Sequence, residues 1–229
     1  LGDVYKRQLM NGVDVSTRYT MRSREMYQRY ATYIFRVVKA KMGNYLIFFP
    51  SYRFMEDVYQ EFTQLLASDE EEMELVIQQK HMDEEERENF LRAFEMGREK
   101  SLIGFGVLGG IFSEGIDLTN EKLIGTLIIG TGLPQVCNER EILKSYFDQK
   151  GLYGFDYAYR YPGMNKVLQA AGRVIRTEDD RGVILLLDER FQREKGKEIF
   201  PKEWADCERC RLDIVEEKIR LFWEKQTDN

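Results

Sequence analysis

The sequence has no apolar run near the ~20 uncharged residues that a membrane-spanning helix needs. It also does not open on the basic-then-apolar pattern of a secretory signal. Cysteine is scarce: Cys137, Cys207 and Cys210 are an odd number in a chain of 229 residues, too long to depend on disulfides. These shortages predict a soluble, cytoplasmic protein in a reducing compartment. The lone histidine, His81, stands in a polar stretch and is read as solvated, so no His-based triad can be assembled. Three thiols fall short of the four that a structural zinc or an iron-sulfur cluster usually takes, and no metal is expected. Excess positive charge is missing too. A net charge of -6 and a pI near 5.2 exclude coating of nucleic acid by bulk electrostatics, so any such contact must be local. Finally, there is no phosphate-cradling Gly-x-x-x-x-Gly-Lys-[Ser/Thr] loop: Gly196-Lys197-Glu198 lacks both the hydroxyl residue and the earlier glycine.

What is present is a chain with 43% hydrophobic residues, enough for a sizeable core. Met26, Tyr27, Tyr30, Ile34, Val37 and Val38 recur at helical spacing over residues 23–42, and Gly43 can end that helix. Residues 46–49 read as a buried strand, turned by Pro50 and Ser51 into a helix that runs to about Leu66. Further strands are predicted at 74–78, 102–108, 123–129 and 183–187, and helices at 83–94, 139–149 and 166–175. Apolar strands alternating with helices imply an α/β fold, a mainly parallel sheet with helices on both faces. Residues 1–12 lack periodicity and are set aside as a poorly defined remnant. Residues 13–205 form the main domain, and residues 206–229 a closing amphipathic helix. Between them, aromatics at every second position from Tyr153 to Tyr161 read as packing.

In open parallel sheets ligands bind where strands end, so the turns carry the most information. After the strand near Val107 comes Gly109-Gly110-Ile111-Phe112-Ser113-Glu114-Gly115-Ile116-Asp117, glycines for close backbone approach with a hydroxyl and two carboxylates. That suits contact with a polyanion or a sugar. A tight turn with solvated acids suits it as well. Before the last strand, Gln169, Arg173 and Arg176 fall at i, i+4 and i+7, one face of a predicted helix with Gly172 beside them. Two guanidiniums and an amide then converge, a pattern able to neutralise charge on a transferring phosphoryl group. A surface pair bonded to Glu178, Asp179 or Asp180 would explain a bare Arg-x-x-Arg equally well.

The two stretches occur together and in order. Phe48-Phe49-Pro50-Ser51-Tyr52, Phe112 to Asp117, Gln169 to Arg176 and Asp188-Glu189-Arg190-Phe191 resemble motifs IV, V and VI, and the segment after them, of XPD/DinG-family superfamily 2 DNA helicases. The resemblance runs over about residues 13–204 and implies the second RecA-like motor domain, of P-loop NTPase type. By that resemblance Arg173 and Arg176 are arginine fingers and Gln169 stands at the same cleft. Gly115, Asp117 and Gly172 edge the nucleotide, while Ser51, Tyr52, Ser113 and Glu114 line the path of single-stranded DNA. It further implies ATP and Mg2+ at a cleft with an N-terminal motor domain of the same protein, and single-stranded DNA or duplex junctions as partners. The location would be cytoplasmic, at the nucleoid when on DNA. The intact protein would be an ATP-dependent helicase, and this stretch alone would be inactive. The rival is a non-catalytic helicase-like module that binds nucleic acid or protein.

Two look-alikes are set aside. Gly104-Phe105-Gly106-Val107-Leu108-Gly109 satisfies Gly-x-Gly-x-x-Gly but sits inside an apolar strand. Ile184 to Glu189 resembles a Walker B strand, yet it follows the arginine motif and matches the family's closing strand.

Overall fold

In the computed structural model, residues 7–69, 72–95, 99–112, 123–174, 181–192 and 198–227 are described. Among them are seven strands: β1 (Arg7–Gly12), β2 (Asn44–Phe49), β3 (Met73–Ile77), β4 (Ser101–Val107), β5 (Gly125–Ile129), β6 (Gly182–Leu187) and β7 (Glu208–Cys210). They form one sheet in the order β3-β4-β2-β5-β6-β1-β7, with every neighbouring pair parallel. The helices are α1 (Arg24–Ala40), α2 (Tyr52–Ala67), α3 (Glu84–Arg92), α4 (Asn138–Gln149), α5 (Tyr161–Ala171) and α6 (Val215–Thr227).

Strand alternation sorts the core into two layers. Ile47, Phe49, Phe105, Leu127, Leu185 and Leu187 face α1, α2 and α6, with Tyr33, Ile34, Phe62 and Ile219 among the helical partners. Leu46, Phe48, Ile128, Ile184 and Leu186 face the other way, onto Phe90 and Phe94 and onto Met164 and Val167 of α5. Burial on both sides is why these strands read as continuous apolar runs. Helices α1, α2 and α3 start where short polar side chains accept their first free amides: Ser23 from Met26, Ser51 from Phe54, and Asp83 from Glu86 in a reciprocal capping box. Gly104 has a packing reason, since a methyl there would stand 2.6 Å from Phe94 Cζ and 2.9 Å from Leu46 Cδ1. The Gly-x-Gly-x-x-Gly look-alike is thus largely a strand interior over which α3 closes.

Three expectations are corrected. Residues 1–12 were set apart from the domain, but Arg7–Gly12 is a strand between β6 and β7, with Met10 fully buried. The segment from residue 206 is not helical throughout: Glu208–Cys210 pairs with β1 before α6 begins at Val215. The helix expected at 166–175 runs instead from Tyr161 to Ala171, with Gly172 as its cap. Of the alternating aromatics, Tyr157 and Tyr159 lie on a π-helical turn, Asp156–Arg160, where Phe155 stacks on Tyr159 at 5.1 Å and Phe147 of α4 on Tyr157 at 4.1 Å. Alternation in the sequence therefore becomes ring packing on a helix.

Candidate functional site

Helix α5 runs along one face of the sheet, from its carboxyl edge, where the strands end, to its amino edge, where they begin. At its start, Gly163 lies so close to Gly132, just past β5, that a methyl on Gly132 would be 2.5 Å from the Gly163 carbonyl oxygen. Beyond its end, Val174 packs on Gly182, the first residue of β6. Eleven residues at a helical rise separate the two ends by ~16 Å. Gln169 and Gly172 are exposed and Arg173 is half-buried at the far end. The helix stops at Ala171, and Arg173 and Val174 continue it only as a turn, with 3.3 Å bonds from their amides to the Ala170 and Ala171 carbonyls. The expected helix through Gln169 and Arg173 is therefore corrected: it ends at Ala171, with Gly172 as its cap, before Arg173. Arg176 lies outside the described residues, as do Ser113, Glu114, Gly115 and Asp117.

Ser51 and Tyr52 sit at the opposite edge, where β2 ends. The Ser51 hydroxyl accepts the Phe54 amide at 3.3 Å and the Tyr52 hydroxyl accepts from Gln78 Nε2 at 2.8 Å, so each keeps its own proton to donate. Gln78, buried at 2% exposure, also accepts the Val107 amide at 2.9 Å and donates its own amide to the Phe105 carbonyl at 2.8 Å. One amide side chain thus ties the ends of β2, β3 and β4 into a fixed ledge. The glycine turn leaves β4 from this ledge: Gly109 has a φ of +75°, and the Lys166 stem of α5 lies where its side chain would be. The structure therefore groups Ser51 with Tyr52, and Gln169 with Gly172 and Arg173, at two separate edges that α5 connects.

A third cluster carried no assigned role in the sequence. Asp188, fully buried just past β6, accepts from the Thr17 amide (3.0 Å), the Thr17 hydroxyl (2.7 Å), the Arg190 amide (3.0 Å), Arg190 Nε (2.8 Å) and Arg190 Nη2 (2.8 Å). Burial opposes its charge, but the Arg190 guanidinium and the Thr17 donors outweigh it and hold the carboxyl below the usual aspartate range. Glu189 adds an amide bond to the Val15 carbonyl at 2.8 Å and accepts from Ser16 at 3.2 Å. The loop after β1 is thereby fastened to the end of β6. The signal for this in the sequence was an acid placed directly after a wholly apolar strand, with an arginine two residues on.

Among the described residues, no helix is long and apolar enough to cross a membrane. The model of the helicase C-terminal domain family matches residues 34–207. The ATP-dependent DNA helicase XPD of Sulfolobus acidocaldarius is 30% identical over 187 residues, covering 79% of this chain and 31% of that protein. The XPD/RAD3 helicase subunit of general transcription and DNA repair factor IIH from Saccharomyces cerevisiae is 28% identical over 196 residues, covering 81% of this chain and 24% of that one. This chain thus spans about a third or less of these relatives' length. A solved apo XPD structure shares the fold with a TM-score of 0.71 at 24% identity, over 90% of this chain and 40% of its own. The chain belongs to the helicase C-terminal domain family, and it has the RecA-like fold that it shares with XPD.

Proposed function

We propose that the intact protein couples ATP hydrolysis to movement along single-stranded DNA and to duplex unwinding, with this chain as the second of two motor domains. The observation that carries the reading is the family match over residues 34–207, taken with the order of the quoted motifs along the chain. The described residues fit the outer side of a nucleotide's phosphates and not their cradle. Arg173 is half-exposed at a helix end with exposed Gln169 and Gly172 beside it, whereas the glycine turn at Gly109 lacks a following lysine-hydroxyl pair. ATP and its Mg2+ would be held by the first motor domain and supply the phosphoryl group.

Arg173 and Arg176 meet the charge that develops on the transferring γ-phosphoryl group, where a planar, always charged fork is effective. Gln169 stands at the same cleft, and Gly115 and Asp117 border the nucleotide. At the other edge Ser51 and Tyr52 contact the strand through hydroxyl donors, and Ser113 and Glu114 share that role by the motif resemblance. Helix α5 joins the two edges, so closure of the cleft around the nucleotide shifts the strand-gripping ledge.

The test is DNA-stimulated ATPase of the intact gene product with Arg173→Ala or Arg176→Ala. A finger is worth roughly 10³-fold or more in turnover, so turnover should collapse while single-strand affinity is kept. Undiminished turnover in both variants refutes the finger role. No ATPase in the intact, unsubstituted protein would leave a nucleic-acid- or protein-binding module as the better account.

A further inference from the structure

The loop between β1 and α1, residues 13–23, runs over the same sheet edge as Ser51 and Tyr52. A methyl on Gly130 would lie 3.2 Å from Thr17 Oγ1 and 3.5 Å from Pro50 Cβ, so the loop, the end of β5 and the turn into α2 are neighbours. From Ser16 to Ser23 the loop carries two arginines, Arg18 and Arg22, and no acid, in a chain whose net charge is -6. Its tip is exposed: Tyr19 is 84% accessible and Met21 48%.

An exposed ring by itself is ordinary. This one is held in place. Thr17 is fastened to Asp188 by two bonds, the Val15 carbonyl accepts the Glu189 amide, and Arg18 pairs with Glu189 at 3.5 Å. On the other side, Arg22 Nε donates to the Thr17 carbonyl at 3.3 Å. The Arg22 guanidinium carbon lies 5.7 Å from the Tyr19 ring centre and 5.4 Å from that of Phe54, which braces the ring against α2. Among the described residues Arg22 has no carboxylate partner. A rigid aromatic face beside an unneutralised guanidinium, at a sheet edge, is the equipment with which proteins hold a base and its phosphate. The apolar area of one ring and one methionine is too small to hold a protein partner by burial.

We infer that Tyr19 and Arg22 form a stacking platform for single-stranded nucleic acid, in which Tyr19 takes the face of a base and Arg22 an adjacent phosphate. The inference rests on the reading of this chain as a strand-binding motor domain, and it adds a contact outside the helicase motifs quoted above. Because the loop is anchored at Asp188, little ordering entropy is lost when a base docks.

The experiment measures fluorescence anisotropy of a labelled oligothymidylate, and of an abasic oligonucleotide of equal length, with this chain and three variants. Tyr19→Ala should weaken oligothymidylate binding by about five-fold or more and leave abasic binding unchanged. Tyr19→Phe should bind both as the native chain does. Arg22→Ala should weaken both and lower the log-log salt slope by about 0.7. Native-like oligothymidylate binding by Tyr19→Ala overturns the platform alone, as does equal weakening on both oligonucleotides. If the unsubstituted chain binds neither, the strand-binding reading fails and the platform falls with it.

Discussion

Replacing Asp188 with alanine removes the acceptor of five hydrogen bonds at a point with no solvent access. It strands the Arg190 guanidinium, whose side chain is 24% exposed, together with the Thr17 amide. Breaking one partner of a buried ion pair costs about 3–5 kcal/mol, and the partial water contact of Arg190 reduces this to about 2–4 kcal/mol. Against a total stability of about 5–15 kcal/mol, that is a large fraction. Equilibrium urea unfolding, followed by the fluorescence of Trp204 and Trp223, reads it directly. With a slope of about 2 kcal/mol/M, the midpoint should fall by roughly 1–2 M. Arg190→Met should fall by less, because it leaves Asp188 with the two Thr17 bonds and replaces the guanidinium with an apolar chain. The double variant should show a coupling of about 2 kcal/mol between the two sites. A midpoint unchanged by Asp188→Ala, or additivity within about 0.5 kcal/mol, would mean that this cluster does not hold the β1–α1 loop to the sheet.

Gly104→Ala should destabilise the chain by about 1–3 kcal/mol in the same assay, since its methyl meets Phe94 and Leu46. Phe94→Leu in that background should recover part of the loss, and no loss at all would refute the close packing of α3 on β4. Acid should act through Asp14 and Asp188. At each, burial opposes the charge but is outweighed, by Tyr33, Arg29 and the Leu212 amide for Asp14 and by Arg190 and Thr17 for Asp188, so both folded carboxyls lie below their unfolded values. Their contribution is complete above the unfolded value of about 3.9 and is lost as pH falls through the folded values. Stability measured from pH 6 down to pH 2 should therefore hold above about pH 5 and decline below about pH 4, and Asp14→Asn should flatten that decline. An unaltered decline in Asp14→Asn would show that its bonds to Tyr33 and Arg29 do not distinguish folded from unfolded chain.

The two sets of candidate residues differ in how far the sequence carried them. Ser51 was readable as a turn residue after an apolar strand, and it caps α2 as such residues do. Tyr52 was readable as its neighbour, but its tie to Gln78, 26 residues on, depends on β3 and β2 flanking β4. Arg173 was readable as part of a spaced motif, yet the helix face inferred from that spacing assumed a helix running through Gly172. The weak helix propensity of glycine ends it there.

The sequence by itself determined the layered α/β class, four of the six helices among the described residues nearly to their ends, and the identity of the family through its ordered motifs. Periodicity and capping are local, and local chemistry is enough to set them. What only the tertiary structure decided is the membership of β1 and β7 in the sheet, the distance between the arginine end of α5 and the Ser51–Tyr52 ledge, and the clamp of Asp188 on Thr17. Residues 7–12 are too mixed, and residues 208–210 too short, to declare themselves as strands; each becomes one because a neighbouring strand offers its open edge. Likewise the bonds between Thr17 and Asp188 join positions 171 residues apart, and no reading of spacing can supply a contact that exists only once β1 lies beside β6.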